Sequence, residues 1–328
     1  MNSLKKNLGS IPFLAILKKA WLITWKNKFL WWFGLFLALV NFNFSSNWKE
    51  EDFDQQAISS FIHQNSHWLL PLAVVIGIIF LALIVFSFVS RGGLIAAIDR
   101  LEKNEKTNFK KNFSSGKKSF SRILGINLTV CFSSLIMIVV IALPAAYCFI
   151  SQKIATGIWL SIPTFLIILV ILLLASYLKN FGQIYIVTGK LKVLSALESA
   201  YKLFLNNFWT SIAMGAILIV LSLVLSFVFL AVLFVLGIIF VPLGFLLWST
   251  LKEPGLIATA TLGVPITLAA LLLISAIFKV FHQSAWFLFF KEIASQKEEE
   301  IIAEISEEKT VISKSPDPVS GVTTSEID

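Results

Sequence analysis

Charged residues are scarce in this chain of 328 residues: only 14% are Asp, Glu, Lys or Arg, whereas 57% are hydrophobic. Soluble domains average about 25% charged and roughly 45 to 50% apolar residues. Soluble helices also end after about 10 to 12 residues, but here uncharged apolar runs exceed the ~18 residues that cross a bilayer. This composition excludes a soluble globular fold and predicts an all-α, polytopic membrane protein.

Cysteine and histidine are almost absent, with two and three residues respectively. Cys131 and Cys148 fall in one predicted helix, about 25 Å apart along its axis, which is too far for a disulfide. His63 and His67 have the spacing of a metal-binding pair on a helix, but no suitable third ligand is evident. Because no convergent His, Asp, Glu or Cys set lies in the apolar runs, we expect no enzyme activity, cofactor or metal site.

Charged side chains are also missing from the apolar runs themselves, which removes the usual carriers of proton-coupled transport. Gly237, Pro242 and Gly244 interrupt the longest run, whose length as one helix would be about 60 Å, twice the hydrocarbon core. We therefore predict a span over 208–233 and then a re-entrant or interfacial half-helix over 234–248. A seventh span is the alternative. The remaining predicted spans are 29–44, 68–89, 123–150, 156–178 and 255–278.

Lysine and arginine collect in alternate loops of this arrangement. Six precede the first span, nine separate the second and third, and four separate the fourth and fifth. The loops in between carry one each, namely Lys49, Lys153 and Lys252. By the positive-inside bias, this alternation predicts six spans in the inner (plasma) membrane with both termini in the cytoplasm. The net charge of +8 is therefore explained by topology, and we expect no nucleic acid partner.

A short amphipathic segment occurs twice, 180 residues apart. Ala20 and Ala200 each precede an aromatic residue, and each is followed after seven residues by Asn27 or Asn207 and then a spanning helix. One face of each segment is apolar, as in helices that lie in the headgroup plane. We call such a segment an elbow, and a weaker, more polar copy occupies 109–120.

The even-numbered spans also end alike. Each end has a polar residue, a small residue two positions later and then an apolar pair, at 90–93, 180–183 and 282–285. These spacings of 90 and 102 residues agree with the spacing of the elbows. We predict three units, each consisting of an interfacial elbow followed by a helical hairpin.

Lysines on the elbows are candidate contacts for lipid headgroups, because each Lys near a membrane surface gains about 1 kcal/mol from anionic lipid. The candidates are Lys18, Lys19 and Lys26 on the first elbow, with Lys110, Lys111, Lys117 and Lys118 on the middle copy. Three interpretations of the basic stretch 100–118 remain open: a topology determinant, a lipid-binding surface, and a contact for RNA or protein.

Three stretches carry a family resemblance: "VTGKLKVLSALESAYKLFLNNFWTSIAMGAILIVL" from Val187, "AWLITWKNKFLWWFGL" from Ala20, and "SRGGLIAAI" after the second span. Over roughly residues 10–293 the chain resembles the six-helix membrane domain of some bacterial glycerophosphoryl diester phosphodiesterases and of related uncharacterised families. In those enzymes a separate soluble barrel performs the reaction, so the resemblance implies a membrane domain and no catalytic residues.

The last part of the chain differs in charge. From Lys291 onward ten residues are acidic and four are basic. Isoleucines among the glutamates predict that the last helix continues to about Glu308, and the turn-rich residues from Val311 predict disorder. We divide the chain into an N-terminal cytoplasmic segment (1–10), a membrane domain (11–293) and an acidic cytoplasmic tail (294–328).

Two functions follow as hypotheses. The first is a non-enzymatic multi-pass membrane protein with a lipid-contacting, membrane-organising or assembly role and anionic lipids as partners; protein partners and oligomeric state remain open. The alternative is a transporter or permease subunit for a small uncharged or lipidic solute. Its site would be the predicted break at Gly237, Pro242 and Gly244, because interrupted helices mark binding sites in transporters.

Overall fold

The structure, a computed structural model, describes residues 12–40 and 55–313. Every regular element in these ranges is an α-helix, which confirms the all-α class. The helices are α1 (Phe13–Lys26), α2 (Leu30–Val40), α3 (Gln55–Glu102), α4 (Phe109–Ile150), α5 (Ile154–Thr188), α6 (Val193–Asn206), α7 (Phe208–Leu251) and α8 (Glu253–Ser313). Five of them, α3, α4, α5, α7 and α8, are long and apolar enough to cross a membrane.

The first predicted span is described only in part. Helix α2 is apolar but covers 11 residues, and residues 41–44 of the predicted span lie outside the described ranges. At the other end of the chain, α8 continues to Ser313, slightly beyond the predicted end near Glu308. His63 and His67 are exposed on α3, and the acidic residues that precede them in the loop lie outside the described ranges.

The predicted break in the fifth span is wrong: α7 runs as one helix through Gly237, Pro242 and Gly244. A proline removes one backbone hydrogen bond and crowds the preceding turn, but the adjacent turns keep their own bonds. In apolar surroundings an unfolded backbone would find no replacement partners, so a continuous helix is favoured. Helices α3, α4, α5 and α8 likewise each contain one internal proline.

The two predicted elbows are separate helices of 14 residues each, α1 and α6. Their ends are 180 residues apart, and Asn27 and Asn207 follow them at equivalent positions. Each Asn side chain donates a hydrogen bond to the carbonyl four residues earlier, Ile23 at 3.0 Å and Leu203 at 3.3 Å. Such side-chain bonds compete with helix continuation and end the elbow before the next helix starts.

The middle copy does not form a separate elbow. Helix α4 is continuous from Phe109 into its apolar part, so the prediction of an elbow there is wrong. The position equivalent to Asn27 and Asn207 is Lys117, which has no side-chain amide to end the helix. Asn108 instead caps the start of α4 by accepting a bond from the Lys111 backbone N–H at 3.0 Å.

The three units contact one another in a closed cycle. The first helices of one unit lie on the second spanning helix of another: α1 and α2 on α8, α4 on α3, and α6 on α5. Tyr177 of α5 also donates a hydrogen bond to the carbonyl of Ser211 in α7. Because unit one contacts unit three, the second helices α3, α5 and α8 are brought into mutual contact.

The buried core lies at one end of these helices. Its members come from the elbows, from the start of α7 and from the last turns of α3, α5 and α8, where Phe181, Phe287 and Phe289 are fully buried. Large apolar side chains along the middle of α3, α4, α5 and α7 are exposed. An apolar surface of this extent is typical of lipid contact. The elbow end is therefore the packed end, and the hairpins extend beyond it.

Candidate lipid-contacting surface

Each elbow has one face on the protein and one face open. In α1 the side chains of Ile16, Ala20, Ile23 and Thr24 are buried against the rest of the molecule. The equivalent positions 180 residues later, Ala196, Ala200, Leu203 and Phe204 of α6, are buried too. The 3.6-residue period of a helix leaves the opposite stripe uncovered.

The open face of each elbow is apolar and aromatic. Trp21 is 53% exposed and its equivalent Tyr201 is 43% exposed, while Leu14 and Leu194 are 82% and 75% exposed. Trp25 is also exposed and packs edge-on against Trp21 at a centroid distance of 5.4 Å. Exposed Trp and Tyr beside lysine are the usual composition of a membrane–water interface.

All seven candidate lysines are exposed, but one of them is already paired. Lys19 binds the Glu102 carboxylate, with 2.7 Å between its Nζ and Oε2. In the described residues, Lys18 and Lys26 form no ion pair, and neither do Lys110, Lys111, Lys117 and Lys118. The elbow lysines that remain available to an external anion are therefore Lys18 and Lys26.

Glu102 joins three helices at this surface. Besides Lys19 of α1, it accepts a bond from Lys291 Nζ of α8 at 3.1 Å, and it lies itself at the end of α3. Its side chain is largely buried, which strengthens these charge-assisted contacts relative to fully exposed pairs. The exposed carboxyl of Glu198 on α6 has only a local partner: its hydrogen bond with Lys202 lowers the pKa of Glu198.

The basic stretch 100–118 divides into structural and free cations. Arg100 donates to Asn112 Oδ1 at 2.5 Å and to Ser115 Oγ at 2.9 Å, which fixes the corner between α3 and α4. Lys103 pairs with Asp99 one turn earlier at 2.8 Å. The four candidate lysines of α4 project from the other side of that corner and are all exposed.

The predicted broken-helix site is a cleft between two intact helices. Gly237 and Gly244 line an apolar cleft of about 760 Å³ between α7 and α8, whereas Pro242 lines a neighbouring depression on α7. A Cβ on Gly244 would lie 3.4 Å from Thr259 Cγ2, so this glycine lets the helices approach closely. The hydroxyl of Thr259 is already bonded to the Gly255 carbonyl. The three residues are thus not brought into one site.

The structure also groups three cations that the sequence reasoning passed over, Arg91, Lys179 and Lys279 on α3, α5 and α8. Each stands one or two residues after an apolar run. The repeated pattern at the ends of the even-numbered spans was the available signal, but it did not reveal that those ends meet.

Comparison with known proteins gives one family. No curated protein and no solved structure matches the chain, and the resemblance to the phosphodiesterase membrane domain stays a prediction. The match covers residues 28–296, which begins just after α1 and includes all the other helices up to the last part of α8. Since this is well over half of the chain, the protein belongs to the family of unknown function DUF7544.

Proposed function

We propose that this membrane protein is non-enzymatic and binds anionic lipid through its elbow helices, in the inner (plasma) membrane with both termini in the cytoplasm. The observation that carries the proposal is the repeated open face: α1 and α6 expose aromatic and apolar side chains at equivalent positions while their opposite faces are buried. A helix of this kind lies in the headgroup layer with its apolar face in lipid.

The lysines supply the preference for negative charge. Lys18 and Lys26 flank the exposed Trp21 and Trp25 on α1. Anionic headgroups attract each surface lysine by about 1 kcal/mol, an effect that salt weakens. A flat aromatic anchor with adjacent cations therefore holds anionic lipid against the packed end of the molecule, where it supports a membrane-organising or assembly role.

Lipid retention in neutral nanodiscs tests the proposal. The full chain is reconstituted in phosphatidylcholine with a minor fraction of phosphatidylglycerol, and bound lipids are counted by native mass spectrometry. We expect Lys18→Gln combined with Lys26→Gln to weaken phosphatidylglycerol binding by roughly tenfold, since two lysines are lost.

A matched control separates this effect from net charge. Lys103→Gln with Lys202→Gln removes the same two charges, but both lysines are paired with acidic neighbours, Asp99 and Glu198. We expect the control to retain phosphatidylglycerol binding. Equal losses in the two variants, or no loss in the elbow variant, would remove the lipid role of the elbows.

The alternative, transport of a lipidic solute, has the cleft between α7 and α8 as its support. The cleft is lined almost wholly by apolar side chains and has the volume of a small-molecule site. Filling it with Gly237→Leu should abolish uptake into proteoliposomes if the cleft holds the solute. Gly77→Leu on α3, also in open surroundings, is the control, and flux that survives in the Gly237 variant counts against this function.

A further inference from the structure

The second spanning helix of each unit carries one cation where its apolar run ends: Arg91 on α3, Lys179 on α5 and Lys279 on α8. These three helices contact one another. The charge of Arg91 acts on both Lys179 and Lys279, and also on His282. The closed cycle of three units therefore collects three like charges, all half-buried, at its centre.

No acidic side chain neutralises this cluster in the described part of the chain. The ion pairs found there involve Lys19, Lys103, Lys202 and Lys291 instead. Like charges repel more strongly away from water, and removing them from water is costly in itself. Cations kept at such a depth without a protein counter-ion indicate a ligand that brings the negative charge.

Unpartnered amides lie beside the cations. Gln183 and Gln283 follow Lys179 and Lys279 by four residues, which places each pair on the same helix face. Gln183 is fully buried and both of its amide atoms lack a partner, and the buried Nε2 of Gln283 lacks one as well. Since buried polar groups are nearly always hydrogen-bonded, these donors indicate a missing acceptor.

We propose that Arg91, Lys179 and Lys279, together with the amide donors of Gln183 and Gln283, bind a phosphate-class oxyanion. A tetrahedral oxyanion has enough acceptor oxygens for two ammonium groups, a guanidinium and amide N–H groups at once, and a guanidinium binds two of its oxygens side by side. The cluster begins where the apolar runs end, which is the depth of lipid phosphates. A lipid headgroup and free phosphate share this chemistry. The site lies apart from the elbow lysines and does not depend on their function.

Two probes distinguish the sources. The full chain in phosphatidylcholine nanodiscs is titrated with inorganic phosphate by calorimetry, and separate nanodiscs containing phosphatidylglycerol are used to count retained lipid by native mass spectrometry. We expect Arg91→Gln with Lys279→Gln to weaken binding of the active probe at least tenfold, whereas Lys18→Gln with Lys26→Gln leaves inorganic phosphate binding unchanged. Binding of either probe that is lost in the cluster variant supports the site and identifies its source.

Thermal stability shows that any loss is not misfolding. Removing charge from an unneutralised cluster relieves repulsion, so we expect the Arg91→Gln, Lys279→Gln protein to unfold no earlier than wild type without anion. The active probe should raise the unfolding temperature of wild type and not that of the variant. A wild-type protein that binds neither probe, or a cluster variant that binds within twofold of wild type, overturns the proposal. A variant that unfolds several degrees earlier without anion does so too, because the cations would then be structural.

Discussion

At the scale of single residues, glycine decides where the helices meet. A Cβ on Gly34 of α2 would overlap the Ala276 carbonyl of α8, and a Cβ on Gly116 of α4 would overlap the Val89 carbonyl of α3. Both glycines are helical with ordinary backbone angles, so their role is the space they leave and not conformational freedom. The two contacts join different units of the cycle.

Enlarging one of these glycines should loosen the cycle. Gly34→Val places two methyl groups against Ala276 and Val280. We expect a loss of about 1 to 3 kcal/mol through overpacking, seen as a lower thermal midpoint in detergent. Gly77→Val on α3 is the control because a Cβ added at Gly77 would meet no heavy atom within 4 Å, and similar midpoints for both variants would contradict the close approach.

Glu102 is the second residue with a wide effect, because it holds α1 and α8 to the end of α3. Glu102→Gln keeps the shape and removes the charge, so we expect a cost of about 1 kcal/mol, since both lysine partners are half-exposed. Amide hydrogen exchange should show faster exchange in α1. Glu198→Gln removes an exposed pair within α6 and should leave α1 unchanged; if α1 exchanges equally fast in both variants, Glu102 is not what docks it.

At the scale of the element, one side chain decides whether an elbow stays separate from the helix that follows. Asn27 and Asn207 end α1 and α6, whereas Lys117 at the equivalent position lets α4 continue. The repeat of the two outer elbows could be predicted from pattern alone, because the residue types recur at equal spacing. The fusion in the middle was missed because composition does not show which backbone bonds an amide interrupts.

Removing that amide should weaken the corner between α6 and α7. Asn207→Ala loses the bond to the Leu203 carbonyl, and we expect a destabilisation of about 1 kcal/mol, measured as a lower thermal midpoint. The neighbouring Asn206→Ala serves as the control, because Asn206 is exposed on the last turn of α6. An unchanged midpoint in the Asn207 variant would mean that packing alone ends the helix.

At the scale of the whole molecule, hydropathy predicted the long helices well, because apolar length is a local property of the sequence. The meeting of Arg91, Lys179 and Lys279 was not predictable in this way, since it depends on contacts between helices that are about 90 to 100 residues apart in the chain. The break proposed at Pro242 failed for a related reason: local turn signals do not account for apolar surroundings that favour an intact backbone.

Orientation in the membrane is a prediction at this scale. In a background with Cys131 and Cys148 replaced, Lys153→Cys at the turn between α4 and α5 should react with an impermeant thiol reagent from outside intact cells. Lys118→Cys near the start of α4 should not, because positive charge collects on the inner side. Both positions are exposed, so access within the protein is equal, and the reverse labelling pattern would invert the topology.

The length of α7 has a consequence for how the molecule sits in lipid. Its 44 residues make a rod of about 66 Å, whereas the hydrocarbon layer is about 30 Å thick. A straight rod of this size stays immersed only by leaning some 60° from the bilayer normal, far beyond the ~20° average, or by bending near Pro242. Either geometry carries the tip of the hairpin sideways through one leaflet, so thinning the bilayer should swing it further from the packed end.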